Sequence, residues 1–242
     1  MSDFVFIKKN ISKEQVNKSF NEVYDEKVNL KSFQSENCSF FFKENIYNGF
    51  KSFIVNEDAI CLVLGGPILR YRDNNFISDS SQVNNEGTKS IYERWIIDNE
   101  MNWDEDVDGP FVVVLFNRKS NEIKIVTDLL SIIPVYQKTG KEVVIGSHIN
   151  LIESISADTI DKTSVADYII NNVVTFPYTI FENIKQIYPA SLHSWSFKNN
   201  NFIYNYTNHW LPKELPKSEK EKPIELINRL RKGLKLYVDQ II

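Results

Sequence analysis

Residues 111–116, FVVVLF, constrain the fold more than any other stretch of the chain. Side chains alternate across a β-strand, so Phe111, Val113 and Leu115 point one way while Val112, Val114 and Phe116 point the other. A strand apolar on both faces must be buried on both faces. Polar residues 117–121 supply a turn, and residues 122–127, EIKIVT, return as an alternating strand. The expected unit is a central hairpin covered above and below.

Short runs of β-branched and aromatic residues predict further strands at 3–7, 38–43, 51–55, 59–64, 143–147, 190–196 and 201–206. Helical spacing of apolar residues appears at 12–23, 88–99, 163–172 and 223–242. Strands come in hairpins rather than in strict alternation with helices. That order predicts antiparallel sheets carrying helices on their outer faces. Residues 211–222, rich in Pro, Lys and Glu, read as a solvated linker between a domain at 1–210 and a last helix at 223–242. In that helix Ile224, Ile227, Leu230, Leu234, Tyr237, Val238 and Ile241 form one apolar stripe, and such a face needs a covering surface.

Of the 242 residues, 42% are hydrophobic and 13% aromatic, enough for a substantial core. Basic and acidic side chains number 28 and 32, for a net charge of -4, and no long basic run occurs. Nucleic acid and anionic membranes are therefore not expected partners. No apolar stretch approaches the roughly 18 residues that span a bilayer, and the first residues lack the basic-then-apolar order of a secretion signal. A cytoplasmic protein is expected. Cys38 and Cys61 are far apart and read as small buried apolar residues. His148, His193 and His209 show no ligand spacing, so no metal site is expected. The glycines of LGGP at 64–67 lack the pattern of a phosphate loop and read as a turn beside a strand. Asp128, closing a strand, reads foremost as an acceptor for turn amides.

The segments VDGPFVVVLFNRKSNEIKIVTDLLSIIPVYQ, VVIGSHINLI and DYIINNVVTFPYTIFENIKQIYPASLHSW, in that order over residues 107–210, resemble the amino-terminal glutaminase-type domain of asparagine synthetases and their relatives. The last helix resembles the first helix of the synthetase half. The resemblance implies an α+β fold of the N-terminal-nucleophile type, a four-layer α/β/β/α sandwich of two antiparallel sheets.

It also implies where a glutaminase would keep its chemistry, and this chain departs there. Active relatives carry a cysteine nucleophile directly after the initiator methionine, where this chain has Ser2. An N-terminal amine can activate a hydroxyl, which makes Ser2 the one catalytic candidate, although an unperturbed hydroxyl is a far weaker nucleophile than a thiol. The family's NGEIYN stretch falls on GGPILR: Gly66 is kept, but Gly65 takes the place of the oxyanion-stabilising asparagine and Pro67 that of the glutamate. The acidic residue for the substrate's α-amino group falls at Gly87, and the arginine for its carboxylate has only Lys51 nearby. Lys51, Gly66 and Asp128 remain as substrate-binding candidates.

Scaffold kept and nucleophile lost is the pattern of β-lactam synthetases and other amide-forming relatives. The expected function is that of a non-catalytic glutaminase-like domain of an ATP-dependent amide-bond-forming enzyme, whose synthetase half lies outside this chain. ATP and Mg would belong to that half, since no SGGxDS loop occurs here. Two alternatives stand beside it: an active N-terminal hydrolase using Ser2, and a stand-alone interaction module. The expected partner is a synthetase-like half or a second copy, engaged through helix 223–242.

Overall fold

The computed structural model describes residues 3–43, 52–71, 86–140, 142–198, 201–212 and 222–241. Its first part runs β1 (Asp3–Ile7), α1 (Lys13–Tyr24), β2 (Leu30–Gln34), β3 (Ser39–Lys43), β4 (Phe53–Val55), β5 (Ala59–Gly65) and β6 (Ile68–Leu69). The middle runs α2 (Glu86–Tyr92), α3 (Trp103–Asp106), β7 (Val107–Asp108), β8 (Phe111–Asn117), β9 (Ile123–Thr127), β10 (Tyr136–Lys138), β11 (Val144–Gly146) and α4 (Ile149–Ile155). The last part holds α5 (Lys162–Asn171), β12 (Ile184–Gln186), β13 (Ser191–Lys198), β14 (Asn201–Asn208) and α6 (Pro223–Ile241).

Two six-stranded sheets result, ordered β12-β10-β11-β1-β3-β2 and β14-β13-β9-β8-β5-β4, with every pairing antiparallel. The double-sided strand β8 sits inside the second sheet between β5 and β9. Val112, Val114 and Phe116 face the first sheet and pack with Phe4, Phe6, Phe40 and Trp195. Phe111, Val113 and Leu115 face the other way, under Ile91, Trp95 and Trp103. On the far side of the first sheet, Val5, Ile7 and Phe41 are covered by Val16 and Phe20 of α1 and Leu151 and Ile152 of α4. The layers are therefore helix, sheet, sheet, helix, as the alternation in residues 111–116 predicts.

Local chemistry sets the ends of several elements. The Ser12 side chain accepts the Gln15 amide and opens α1, and Asp161 accepts the Thr163 amide and opens α5. The helix expected over 88–99 is α2 continued by one wide turn, in which the Asp98 amide reaches back to the Glu93 carbonyl at 2.9 Å. That turn places Trp95 edge-on to Trp103, with ring centroids 5.1 Å apart. Arg94 then grips Asp106 through Nε (2.8 Å) and Nη2 (3.1 Å), while Asp106 also accepts the Asn102 amide. Asp106→Ala is expected to cost about 1–2 kcal/mol, because it removes a two-point ion pair and leaves the Asn102 amide without its acceptor. Chemical denaturation checks this, and an unchanged midpoint would refute it.

Cys38 and Cys61 are both free and buried, and burial pushes the Cys61 thiol up to about 12. Helix α6 begins at Pro223, as expected, yet Ile224, Ile227, Leu230 and Leu234 of its stripe are all exposed. Tyr237, Val238 and Ile241 have side chains outside those described. No helix among the described residues is long and apolar enough to cross a membrane.

Candidate functional site

Strand β1 presents Phe4 and Phe6 to the space between the sheets and turns Asp3, Val5 and Ile7 toward the helices. At its start a polar network closes around Asp3, which is buried. One Asp3 oxygen accepts the Ser147 hydroxyl at 2.8 Å and the other accepts the Tyr24 hydroxyl. Ser147 Oγ in turn accepts the Phe4 amide at 3.1 Å. Burial, and then the hydrogen bond to Asp3, push the Tyr24 phenol well above its ordinary value, so it stays a donor. His148 leans on the Tyr24 ring, and Lys43 Nζ lies 4.0 Å from that ring's centre while pairing with Glu26 at 2.7 Å. This network ties the start of β1 to α1 and to the residues after β11, and the buried Nδ1 of His148 beside it has no hydrogen-bond partner among the described residues. Ser2 and Lys51 lie outside the described residues.

The other candidates sit where β5 ends. Gly65 has φ +84°, and a Cβ there would collide with the Pro110 carbonyl oxygen and lie 2.5 Å from Ile133 Cδ1. Only a residue without a side chain fits. The Gly66 amide donates to that same Pro110 oxygen at 3.1 Å, so it is already engaged within the chain. A Cβ on Gly66, by contrast, would meet nothing within 4 Å. Gly87 is buried in the first turn of α2.

Asp128 is buried at the mouth of the central hairpin. Its carboxylate accepts the amides of Leu130 (2.8 Å), Ile132 (3.2 Å) and Phe111 (3.3 Å). These bonds tie the strand to the loop after it, which is the turn role that its position suggests. Below this loop a cavity of about 200 Å³ is lined by Trp103, Asp108, His209 and Trp210 among others. Burial raises the Asp108 carboxyl, but Arg70 and the Gly109 amide hold it below its usual range. His209 donates Nε2–H to the Thr127 carbonyl at 3.0 Å, and burial lowers its pKa.

A second, larger cleft, of about 690 Å³, lies at the opposite end of β1. It is polar but internally satisfied. Lys138 Nζ donates to the carbonyls of Ser156 and Ala157, Asp158 accepts both the backbone amide and side-chain amide of Asn183, and Glu142 accepts Lys9 and Ser156. Among the described residues no group of His, Cys, Asp and Glu is placed to hold a metal ion. The residues that sequence reasoning did not single out are Pro110 and Ile133, which fill the space beside Gly65, and the trio Asp3, Tyr24 and Ser147. The proline in DGPF was the only visible signal.

Residues 69–210 match the family described as glutamine amidotransferase domain. Among solved structures, one of the allosteric regulatory enzyme of purine biosynthesis aligns over 88% of this chain and 50% of its own, at 7% identity and TM-score 0.50. The glutamine phosphoribosylpyrophosphate amidotransferase from B. subtilis, complexed with ADP and GMP, aligns over 88% of this chain and 50% of its own, at 8% identity and TM-score 0.51. The chain thus spans about half the length of each. No curated protein matches it in sequence.

Proposed function

This chain belongs to the glutamine amidotransferase domain family, and we propose that it is a copy that has given up glutamine hydrolysis. The observation that carries the reading is the end of β5. A glutaminase of the resembled kind needs an oxyanion donor on the side chain at position 65 and a free amide at 66. Here position 65 has no room for a side chain and the Gly66 amide is spent on Pro110. Losing one such donor costs on the order of 10²–10³ in rate. Ser2 in place of cysteine and Gly87 in place of a carboxylate act in the same direction.

The domain then serves as the scaffold half of an asparagine-synthetase-like, ATP-dependent amide-forming enzyme, in which a substrate amine replaces ammonia. ATP and Mg are held by the synthetase-like half, and the exposed stripe of α6 is the surface that half covers. Two free buried cysteines suit a reducing, cytoplasmic setting.

Ammonia release from glutamine is expected at background in both the native chain and Ser2→Ala. Turnover in the native chain that Ser2→Ala abolishes would overturn the reading. For the partner, titration of the full chain with a synthetase-like half is expected to give binding that Leu230→Glu with Leu234→Glu abolishes, while equal binding by both forms would remove α6 from the interface.

A further inference from the structure

Strand β14 closes one side of its sheet, and among the described residues nothing runs along its outer edge. Edge strands expose unpaired amides and carbonyls, and proteins guard them by making them short or by placing charge, proline or a bulge on them. The other described edges follow this rule: β4 and β12 have three residues each, and β2 carries Lys31. β14 does not. It is eight residues long, NFIYNYTN, without a charge or a proline, and it matches β13 residue for residue with no bulge.

The exposed side chains along this edge are uncharged, with polar Asn205, Thr207 and Asn208 beside two large apolar ones, Ile203 and Tyr206. Tyr206 is 43% exposed and stacks on Tyr188, 40% exposed, at 4.8 Å between ring centres. Phe176, 43% exposed, continues the row at 5.5 Å from Tyr188, and Ile203 is 38% exposed on the opposite face of the strand. Beneath them buried His193 and Trp195 stack with half-buried Tyr204, ring against ring.

We propose that β14 pairs antiparallel with β14 of a second copy of this chain, about a two-fold axis at Asn205, joining two six-stranded sheets into one. An antiparallel edge is self-complementary in its hydrogen bonds, so one surface serves both partners. Centring on Asn205 keeps the faces in register: Asn205 meets the partner's Asn205, Tyr204 meets the partner's Tyr206, and Ile203 meets the partner's Thr207. No like charges confront each other, because the strand has none. The exposed halves of four large side chains, together with the strand edge, bury roughly 600 Å² per copy, the lower bound of specific stable interfaces. A reversible dimer is the expected result.

Sedimentation of the full chain over a concentration series tests this. The native chain is expected to dimerise. Asn205→Lys, which sets two ammonium groups face to face, is expected to raise the dimer Kd by about tenfold or more while leaving the circular dichroism spectrum, and the melting temperature at dilutions where both forms are monomeric, unchanged. A short bis-maleimide should crosslink the Asn205→Cys variant into dimers but leave Lys18→Cys, on the exposed side of α1, monomeric. A native chain that stays monomeric, a dimer whose Kd is untouched by Asn205→Lys, or no crosslinking of Asn205→Cys would each overturn the proposal. The second of these outcomes would move the contact to α6.

Discussion

Gly65→Ala is expected to destabilise the fold by roughly 3–5 kcal/mol, while Gly66→Ala next to it stays within about 0.5 kcal/mol. The two residues differ in what surrounds them. At Gly65 the backbone lies at φ +84°, a conformation L-residues rarely adopt, and the new methyl would strike the Pro110 carbonyl as well as Ile133. Ile133 is a side chain and can shift. Pro110 is backbone, held in place because its oxygen accepts the Gly66 amide and the next residue starts β8, so Ile133→Ala should rescue only part of the loss. Urea denaturation of the four variants, including the double one, decides the matter. Equal stability of Gly65→Ala and Gly66→Ala would show that the β5 end is pliable, and would remove the main support for a lost oxyanion site. The same geometry makes Gly65→Asn an ineffective repair: the asparagine that a glutaminase needs has no place to stand.

This crowding marks the limit of what could be read from the chain alone. The hairpin of β8 and β9 was legible because its alternation is local and apolar on both faces, and α1 was legible from Ser12 and its periodic apolar residues. The three-residue strands β10 and β12 were not. Tyr136–Lys138 has an ordinary polar composition and becomes a strand only because β11 and β12 flank it. Helix α4 has no side-chain cap to announce it, and its Leu151 and Ile152 are helical because β11 and α1 bury them. The site divides in the same way. Ser2, Gly65, Gly66 and Gly87 were picked out by resemblance, and Asp128 by its place at a strand end, where it does cap the turn. What stands beside Gly65 comes from the start of β8 and the loop after Asp128, contacts that only the folded topology creates.

Acidification from pH 6.5 to 4 is expected to remove about 3 kcal/mol of stability through one residue, His193. Its ring is fully buried, stacked between Trp195 and Tyr206. Nε2–H donates to the Tyr188 carbonyl at 2.9 Å, which leaves Nδ1 to accept the Tyr204 hydroxyl at 2.9 Å. That arrangement suits the neutral ring alone, and burial pushes its pKa down to about 4 from the ordinary 6.5. Below pH 6.5 the unfolded chain takes up a proton that the folded chain refuses, so stability falls by about 1.4 kcal/mol per pH unit until the folded ring titrates near pH 4. His209, also lowered by burial, adds a loss of the same sign. Urea midpoints at pH 7.5, 5.5 and 4.5 for the native chain and His193→Gln separate this from the general acid sensitivity of carboxylates. The variant should start less stable and lose less on acidification, narrowing the gap as pH falls. Parallel pH profiles would mean that the ring protonates without leaving the stack. Because His193 lies under Tyr204 and Tyr206, the first structure loosened by acid should be the β13–β14 hairpin, so a dimer joined through β14 should dissociate at a pH above that of global unfolding.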